Sequence, residues 1–485
     1  MKKYLMFLIL LVLPFLLVGC AQQETEGLVL RVYNWQDYID EGFDDDGQKV
    51  STSVMEEWQE WYFQTYGEKV EIVYDTFETC ETMMNTLKTG KTTYDLICPS
   101  EYTIQKMIRL DMLDTYDYNL KDKNGNLVMT NYHNVSPYLI NLFSDKGWND
   151  YAVPYMWGTM GFIYNPETIN EEDIKHWSIL WNENYKNMAT AKDSIRDTYV
   201  VGVMNVYYDE LMALREDLQS GKISQEQYTK QIGLIMNRCD DETLEKVEKA
   251  LKEMKNNVYG FEVDSGKSDI VTGKVSINFA WSGDAVYSLD VAEEENEVYL
   301  NYQVPEEGSN VWFDGWVMPK GADTFLAQTF VDYVSRPENA VRNMNMVGYT
   351  SAIAGQEVFD EISDWYDESV ELDDGSFDTT DLVPYDLNYF FEGTLDEDCD
   401  GIIYTSSLRG QLYTQYPDLG TVERCAIMQD FGVQNNKVIE MWASVKAVNL
   451  PIWVTIGFFL IVAGLFALVI VYTVFNKRKF RKNKR

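Results

Sequence analysis

The sequence predicts an α/β protein of two or more lobes, built on a largely parallel sheet. Strand-like runs alternate with helical ones along the chain, the pattern that βαβ connections require. The stretch between two apolar ends, about 420 residues, exceeds what one hydrophobic core ordinarily holds. No internal repeat is present. In order, Leu28–Tyr33 is rich in β-branched and aromatic residues and reads as a strand. Val54–Tyr66 reads as a helix behind a cap at Ser51 or Ser53, and Val70–Tyr74 is again strand-like. A helix over Glu78–Leu87, a strand at Asp95–Cys98 and a helix over Thr103–Leu110 follow. Beyond Tyr151, Met160–Tyr164 is strand-like and Thr198–Leu214 helical. Asp241–Asn256 is an amphipathic helix with Leu244, Val247, Leu251 and Met254 on one face. Strands at Val275–Ala280 and Trp316–Met318 precede a helix over Thr324–Val334. Glu357–Asp400 is dense in Asp and Glu with scattered aromatics and reads as an insertion with long loops.

The two ends carry membrane signals. Lys2 and Lys3 precede an uninterrupted apolar run, Tyr4–Val18, the layout of a secretory leader. It closes on Gly19-Cys20, which resembles a bacterial lipobox, so residues 1–20 read as a signal whose cysteine is lipidated; the polar Ala21–Gly27 stretch reads as a tether. Residues 452–475 hold no charge and are long enough to span a bilayer, which takes about 20 residues. The basic tail 476–485 then places that end in the cytoplasm and everything between the signals outside.

Lys2, Lys3 and the seven basic residues of the tail leave 31 Lys and Arg against all 78 Asp and Glu, so the exported part carries a net charge of −47. That excludes nucleic acid as a partner and favours cationic ligands. Cys80, Cys98, Cys239, Cys399 and Cys425 form an odd set without a CxxC pair, which is no disulfide scaffold. His133 and His176 are the only histidines, too few and too far apart for a zinc site or a Ser-His-Asp centre. Gly266-Lys267-Ser268 lacks the first glycine of a phosphate loop, Phe261 standing in its place. Asp396, Asp398, Asp400, Gly401 and Ile403 match half of a calcium loop, but Ser407 stands where its bidentate glutamate belongs, so a solvated acidic loop is the better reading. Neither a metal nor a cofactor is expected.

Four clusters set aromatics beside carboxylates at the ends of strand-like runs: Asn34-Trp35-Gln36-Asp37-Tyr38, Pro99-Ser100-Glu101-Tyr102, Trp281-Ser282-Gly283-Asp284 and Trp312-Phe313-Asp314-Gly315-Trp316. Open α/β sheets bind ligands outside the carboxyl ends of their strands. An aliphatic amine needs aromatic walls for its methylenes and carboxylates for its ammonium heads, and aromatic faces also attract the cation. Trp312 and Asp314, two residues apart on a strand, share one face. Taken singly, each Trp is more often a core residue than a ligand wall.

From Leu28 to Trp442, interrupted around Met204–Asn257 and by the acidic insertion, the sequence resembles the bacterial spermidine/putrescine-binding proteins, the substrate-binding subunits of polyamine ABC transporters. The markers are Val32-Tyr33-Asn34-Trp35, Tyr94–Ser100, Val153–Gly158, Asp193–Asp197, Trp281–Ala285, Trp312-Phe313-Asp314 and Gly348-Tyr349. The resemblance implies a type II periplasmic-binding-protein fold, two lobes closing about a hinge on the amine, with 28–156 and 314–350 in one lobe and 157–313 and 351–446 in the other. It implies Trp35, Trp281 and Trp312 as cage aromatics and Tyr38 and Tyr349 as rings or hydroxyls. Asp314 becomes the principal carboxylate; Asp37 and Asp284 resemble acids of the putrescine-preferring branch; Ser100, Tyr102 and Gln429 supply polar contacts. Asp197 stands where Glu is usual, and Ser194 where the spermidine branch often has Asp. The implied partners are the amine, a membrane permease and a cytoplasmic ATPase, with no chemistry on the ligand. A membrane-tethered amine receptor and a binding protein for another small cation are the alternatives, and a hydrolase would need paired carboxylates at a cleft.

Overall fold

The parallel strands lie where short apolar runs can be covered on both faces by helices. The computed structural model describes residues 27–43, 47–144, 146–372, 377–447 and Gly464. Ten strands carry most of one large sheet: β1 (Leu28–Trp35), β2 (Val70–Phe77), β3 (Leu96–Ile97), β4 (Leu113–Asp114), β5 (Ala152–Tyr164), β6 (Ala189–Lys192), β7 (Gly260–Glu262), β8 (Ile277–Trp281), β9 (Asn301–Gln303) and β10 (Ser309–Pro319). Their main order is β2-β1-β3-β10-β5-β8-β6-β7.

In one flank β1 runs parallel to β2 and β3, and in the other β6 runs parallel to β7 and β8. Between them β5 and β10 pair antiparallel; β10 touches β3 through Val317, and β5 touches β8 through Met160–Tyr164. The expected largely parallel sheet is therefore parallel in each flank and antiparallel in the middle. The reason is topological. The chain runs through the centre of the sheet along β5 and back along β10, so these two neighbouring strands run in opposite directions and join the two parallel flanks.

Most of the expected elements are present, with shifted ends. Ser53, not Ser51, caps the helix Val54–Tyr66: its hydroxyl accepts from Glu56 N at 3.0 Å while the Glu56 carboxylate accepts from Ser53 N, a reciprocal capping box. The run expected as one helix over Thr198–Leu214 breaks at Tyr207 into Ile195–Val206 and Tyr208–Gln219. The strand expected at Met160–Tyr164 begins eight residues earlier. Pro154 hid that half, yet it lies opposite Gly315, where the register with β10 shifts, and a bulge tolerates a missing ladder donor. Gly158 belongs to the same strand because it must: a Cβ there would meet Trp312 at 2.7 Å.

The acidic insertion is more ordered than expected. It holds the helix Gln356–Tyr366 and two hairpins, Val370–Glu371 with Phe377–Asp378 and Val383–Asp386 with Ile402–Thr405. Val358, Phe359, Ile362, Tyr385, Phe390 and Phe391 are buried beneath its acidic surface. The helix Asn435–Lys446 packs on Asp241–Asn257. All five cysteines beyond Cys20 are free thiols. Cys20 and the span 452–475 lie outside the described residues, among which no helix is long and apolar enough to cross a membrane.

Candidate functional site

Three acidic side chains are placed at helix starts that follow strands of the large sheet. Glu101 opens the helix Glu101–Arg109 after β3, Asp197 sits in the first turn of Ile195–Val206 after β6, and Asp284 in the first turn of Ser282–Asn296 after β8. The helix dipole favours negative charge at each of these positions. The fourth acid, Asp314, comes from β10 beside the bulge at Asp314/Gly315, held against the loop before Glu101 by a bridge to Ser100 and by Gly315 N donating to Pro99 O at 3.2 Å. All four carboxyl groups are buried.

Asp314 accepts from the Tyr38 hydroxyl at 2.7 Å, and its other oxygen has no partner among the described residues. Burial raises its carboxyl to about 6, with Ser100, Tyr38 and Trp35 pulling the other way and the Asp197 charge adding to the rise. Glu101 is also pushed well above its ordinary range, by burial and then by Asp314; Asn310 donates to one of its oxygens at 3.2 Å and the other is unpartnered among the described residues. Burial also raises Asp197, against Ser194 and the cations Arg196 and Lys192. Tyr38 is held well above its ordinary range by burial and by Asp314, so it remains a donor.

Rings close around these acids. The Tyr38 and Tyr349 centroids are 5.3 Å apart at 80°, and Trp312 lies 5.7 Å from Tyr349. The Trp312 indole donates to Thr159 O at 3.0 Å, which fixes its ring. Trp312 and Asp314 thus end in one cluster, as their alternation on the strand requires. Gly283 is needed here, because a Cβ would meet the Tyr349 ring at 2.3 Å.

Asp284 differs from the other acids. It accepts from Tyr349 at 2.9 Å and from Lys192 Nζ at 2.9 Å. Lys192, at the end of β6, is fully buried; it also donates to Val263 O at 3.1 Å, lies 3.1 Å from Glu262, and sits 4.4 Å above the centre of the Trp281 ring. Burial opposes its charge, but Asp284 and Glu262 more than offset that and raise Lys192, while Lys192 and Lys267 outweigh burial and lower Asp284. The expected ligand carboxylate at Asp284 is therefore already neutralised from within the chain.

Of the other expected residues, Ser100 and Trp35 border Asp314, and Tyr102 is half-buried within electrostatic range of Asp197 and Glu101. Asp37 and Gln429 are not brought into the cluster. Asp37 is exposed in a left-handed turn at φ 51°, its carboxylate accepting from Gln36, and the Gln429 side chain is exposed. Gln429 contributes through its backbone, which donates to Asn237, the residue that also accepts from Arg196. Sequence reasoning missed Lys192, Glu262 and Arg196. Lys192 directly precedes the Asp193–Asp197 marker, but nothing in its spacing announces a partner 92 residues away. Gly266-Lys267-Ser268 opens a short helix whose first N–H is already capped by Glu262 at 2.8 Å, the place a phosphate would need. Among the described residues no group of His, Cys, Asp and Glu could hold a metal ion.

The sequence profile of the bacterial extracellular solute-binding proteins matches residues 57–372, well over half of the chain. The chain belongs to that family. Among relatives of this solute-binding protein, the spermidine/putrescine-binding periplasmic protein of Salmonella typhimurium is 27% identical over 331 residues, covering 68% of this chain and 79% of the relative. The putrescine-binding periplasmic protein PotF of Escherichia coli is 26% identical over 362 residues, covering 72% and 84%. Among solved structures, the spermidine/putrescine ABC transporter substrate-binding protein PotD of Streptococcus pneumoniae superposes with a TM-score of 0.54 at 26% identity, covering 86% of this chain and 98% of that one. The α/β two-lobed periplasmic-binding-protein fold is shared with these structures.

Proposed function

We propose that this solute-binding protein is the extracytoplasmic substrate-binding subunit of a polyamine ABC import system, capturing a small linear amine between its lobes and handing it to a permease driven by a cytoplasmic ATPase. One observation carries the reading. Asp314, Glu101 and Asp197 are buried acids, each raised first by burial, with the Asp197 charge adding to the rise of Asp314 and both charges adding to that of Glu101, and Asp314 is set beside Tyr38, Tyr349 and Trp312. Such a group gains most from a ligand that brings positive charge and apolar length together, since a buried charge costs several kcal/mol until it is paired. The polyamine-binding names of the relatives support the same ligand class.

In this reading residues 28–156 and 314–350 form one lobe, 157–313 and 351–446 the other, and β5 and β10 the hinge. Trp35, Ser100 and Tyr102 line the Asp314 end, while Asp37 and Gln429 lie at the rim. The protein binds its ligand without altering it, and is held at the outer face of the membrane through Cys20 and the span 452–475. The test is a fluorescence titration of the purified full chain with putrescine, spermidine and agmatine. Closure over Trp312 and Trp281 should quench or shift the emission saturably for at least one of them. No response to any of the three at millimolar concentration removes the proposal.

A further inference from the structure

The Lys192 ammonium is in every chemical respect a primary alkylammonium, four methylenes from its anchor. Its surroundings are those a captured amine would find: a carboxylate at 2.9 Å, a second at 3.1 Å, a carbonyl at 3.1 Å and an indole face at 4.4 Å. Two of these groups, Trp281 and Asp284, stand in one of the four aromatic and carboxylate clusters of the sequence. Among the described residues nothing comparable neutralises the Asp314 end. There one Asp314 oxygen and one Glu101 oxygen are buried without a partner, and the nearby Arg196 hydrogen-bonds Asn237 and stacks on Phe431 at 4.4 Å. The two ends are connected through rings, because Tyr349 donates to Asp284 and packs against Tyr38, which donates to Asp314.

We infer that Lys192 is the specificity-determining residue of the cleft: a tethered ammonium that fills the Trp281–Asp284 end and sets the protein to take amines with one positive charge fewer than the cleft would otherwise accept. The inference rests on the amine-binding reading above and deepens it. A ligand whose last ammonium reached Asp284 would meet a like charge there instead of a free carboxylate, and like charges set face to face in a buried site oppose binding strongly. The cleft therefore favours a diamine, held by its ammonium at Asp314, over a triamine. Lys192 is tied to the chain and cannot leave, so the selectivity is built in rather than dependent on conditions.

The test compares the full-length wild type with Lys192→Met, which keeps the apolar stem and removes the charge, by calorimetry with 1,4-diaminobutane and with spermidine. In Lys192→Met the affinity for spermidine relative to the diamine should rise at least tenfold, and Lys192→Arg, which keeps the charge, should retain the wild-type ratio. A ratio unchanged in a folded Lys192→Met overturns the inference while leaving the amine-binding reading intact. Should the wild type bind neither amine, that reading falls and this inference with it. If Lys192→Met is unfolded on its own, the readout becomes recovery of its circular dichroism spectrum. Spermidine must restore the fold at concentrations where the diamine does not, and its failure to do so overturns the inference.

Discussion

Replacing Asp314 with asparagine separates a ligand-binding carboxylate from a structural one, because the two roles move stability in opposite directions. Asp314 is 6% exposed, and its carboxyl is held at about 6 rather than near 3.8. Keeping it ionised at neutral pH costs the ligand-free fold roughly 3 kcal/mol at 1.36 kcal/mol per unit of pKa. The neutral amide would remove that cost, in which the Tyr38 hydrogen bond is already counted. The ligand-free Asp314→Asn protein should therefore gain up to about 3 kcal/mol, read from its denaturant midpoint. Amine binding should fall by about two to three orders of magnitude, since an ammonium left unpaired in a buried cleft forfeits roughly 3 to 5 kcal/mol, at 1.4 kcal/mol per tenfold. A variant that loses stability and binds amine within threefold of wild type would show that Asp314 is an internal structural group, and the reasoning about the cleft would be refuted.

The sign of the pH dependence follows from the same carboxyl. Because its folded value is raised, the cost to stability is absent below about 4, grows as pH rises to about 6 and is constant above, so the stability difference between wild type and Asp314→Asn should vanish near pH 4. Amine affinity should drop as pH falls below about 6, with protons released on binding near that pH, which calorimetry in buffers of different ionisation enthalpy detects. Asp284→Asn leaves the buried Lys192 with Glu262 alone and should lower unfolding stability by less than the roughly 3 to 5 kcal/mol of a fully unpaired buried charge, and adding Lys192→Met should recover most of the loss in a double-mutant cycle. Gly283→Ala should weaken amine binding more than tenfold, because its methyl group displaces a Tyr349 ring pinned by Asp284, Tyr38 and Trp312; unchanged affinity would detach that ring from the site.

Periodicity made the flanking βα units legible, because β1, β2 and the helices after them bury one face each and carry their caps in the sequence. The antiparallel centre was not legible. β5 is buried along its whole length, and Pro154 and Gly158 read as breakers until their partners Gly315 and Trp312 are known. Among the site residues, Trp312, Asp314 and Tyr38 were visible because aromatics and acids fall together at strand ends, Tyr349 only through the family resemblance, and the four do converge. Lys192 was invisible for the opposite reason. Its meaning comes from Asp284, Glu262 and Trp281, each on a different strand or helix, and a lysine at a strand end usually points to solvent. The exposure of Asp37 was not legible either, since its place in the Trp35–Tyr38 run says nothing of the left-handed turn it adopts.

In the proposed function, buried carboxylates beside Tyr38 and Trp312 await positive charge on a short aliphatic chain. Calorimetry of the full chain with 1,4-diaminobutane beside 1,4-butanediol isolates that charge, because the two share length and shape and differ in charge. Saturable one-to-one binding of the diamine with none of the diol is the predicted result; equal binding of both, or of neither, would contradict it.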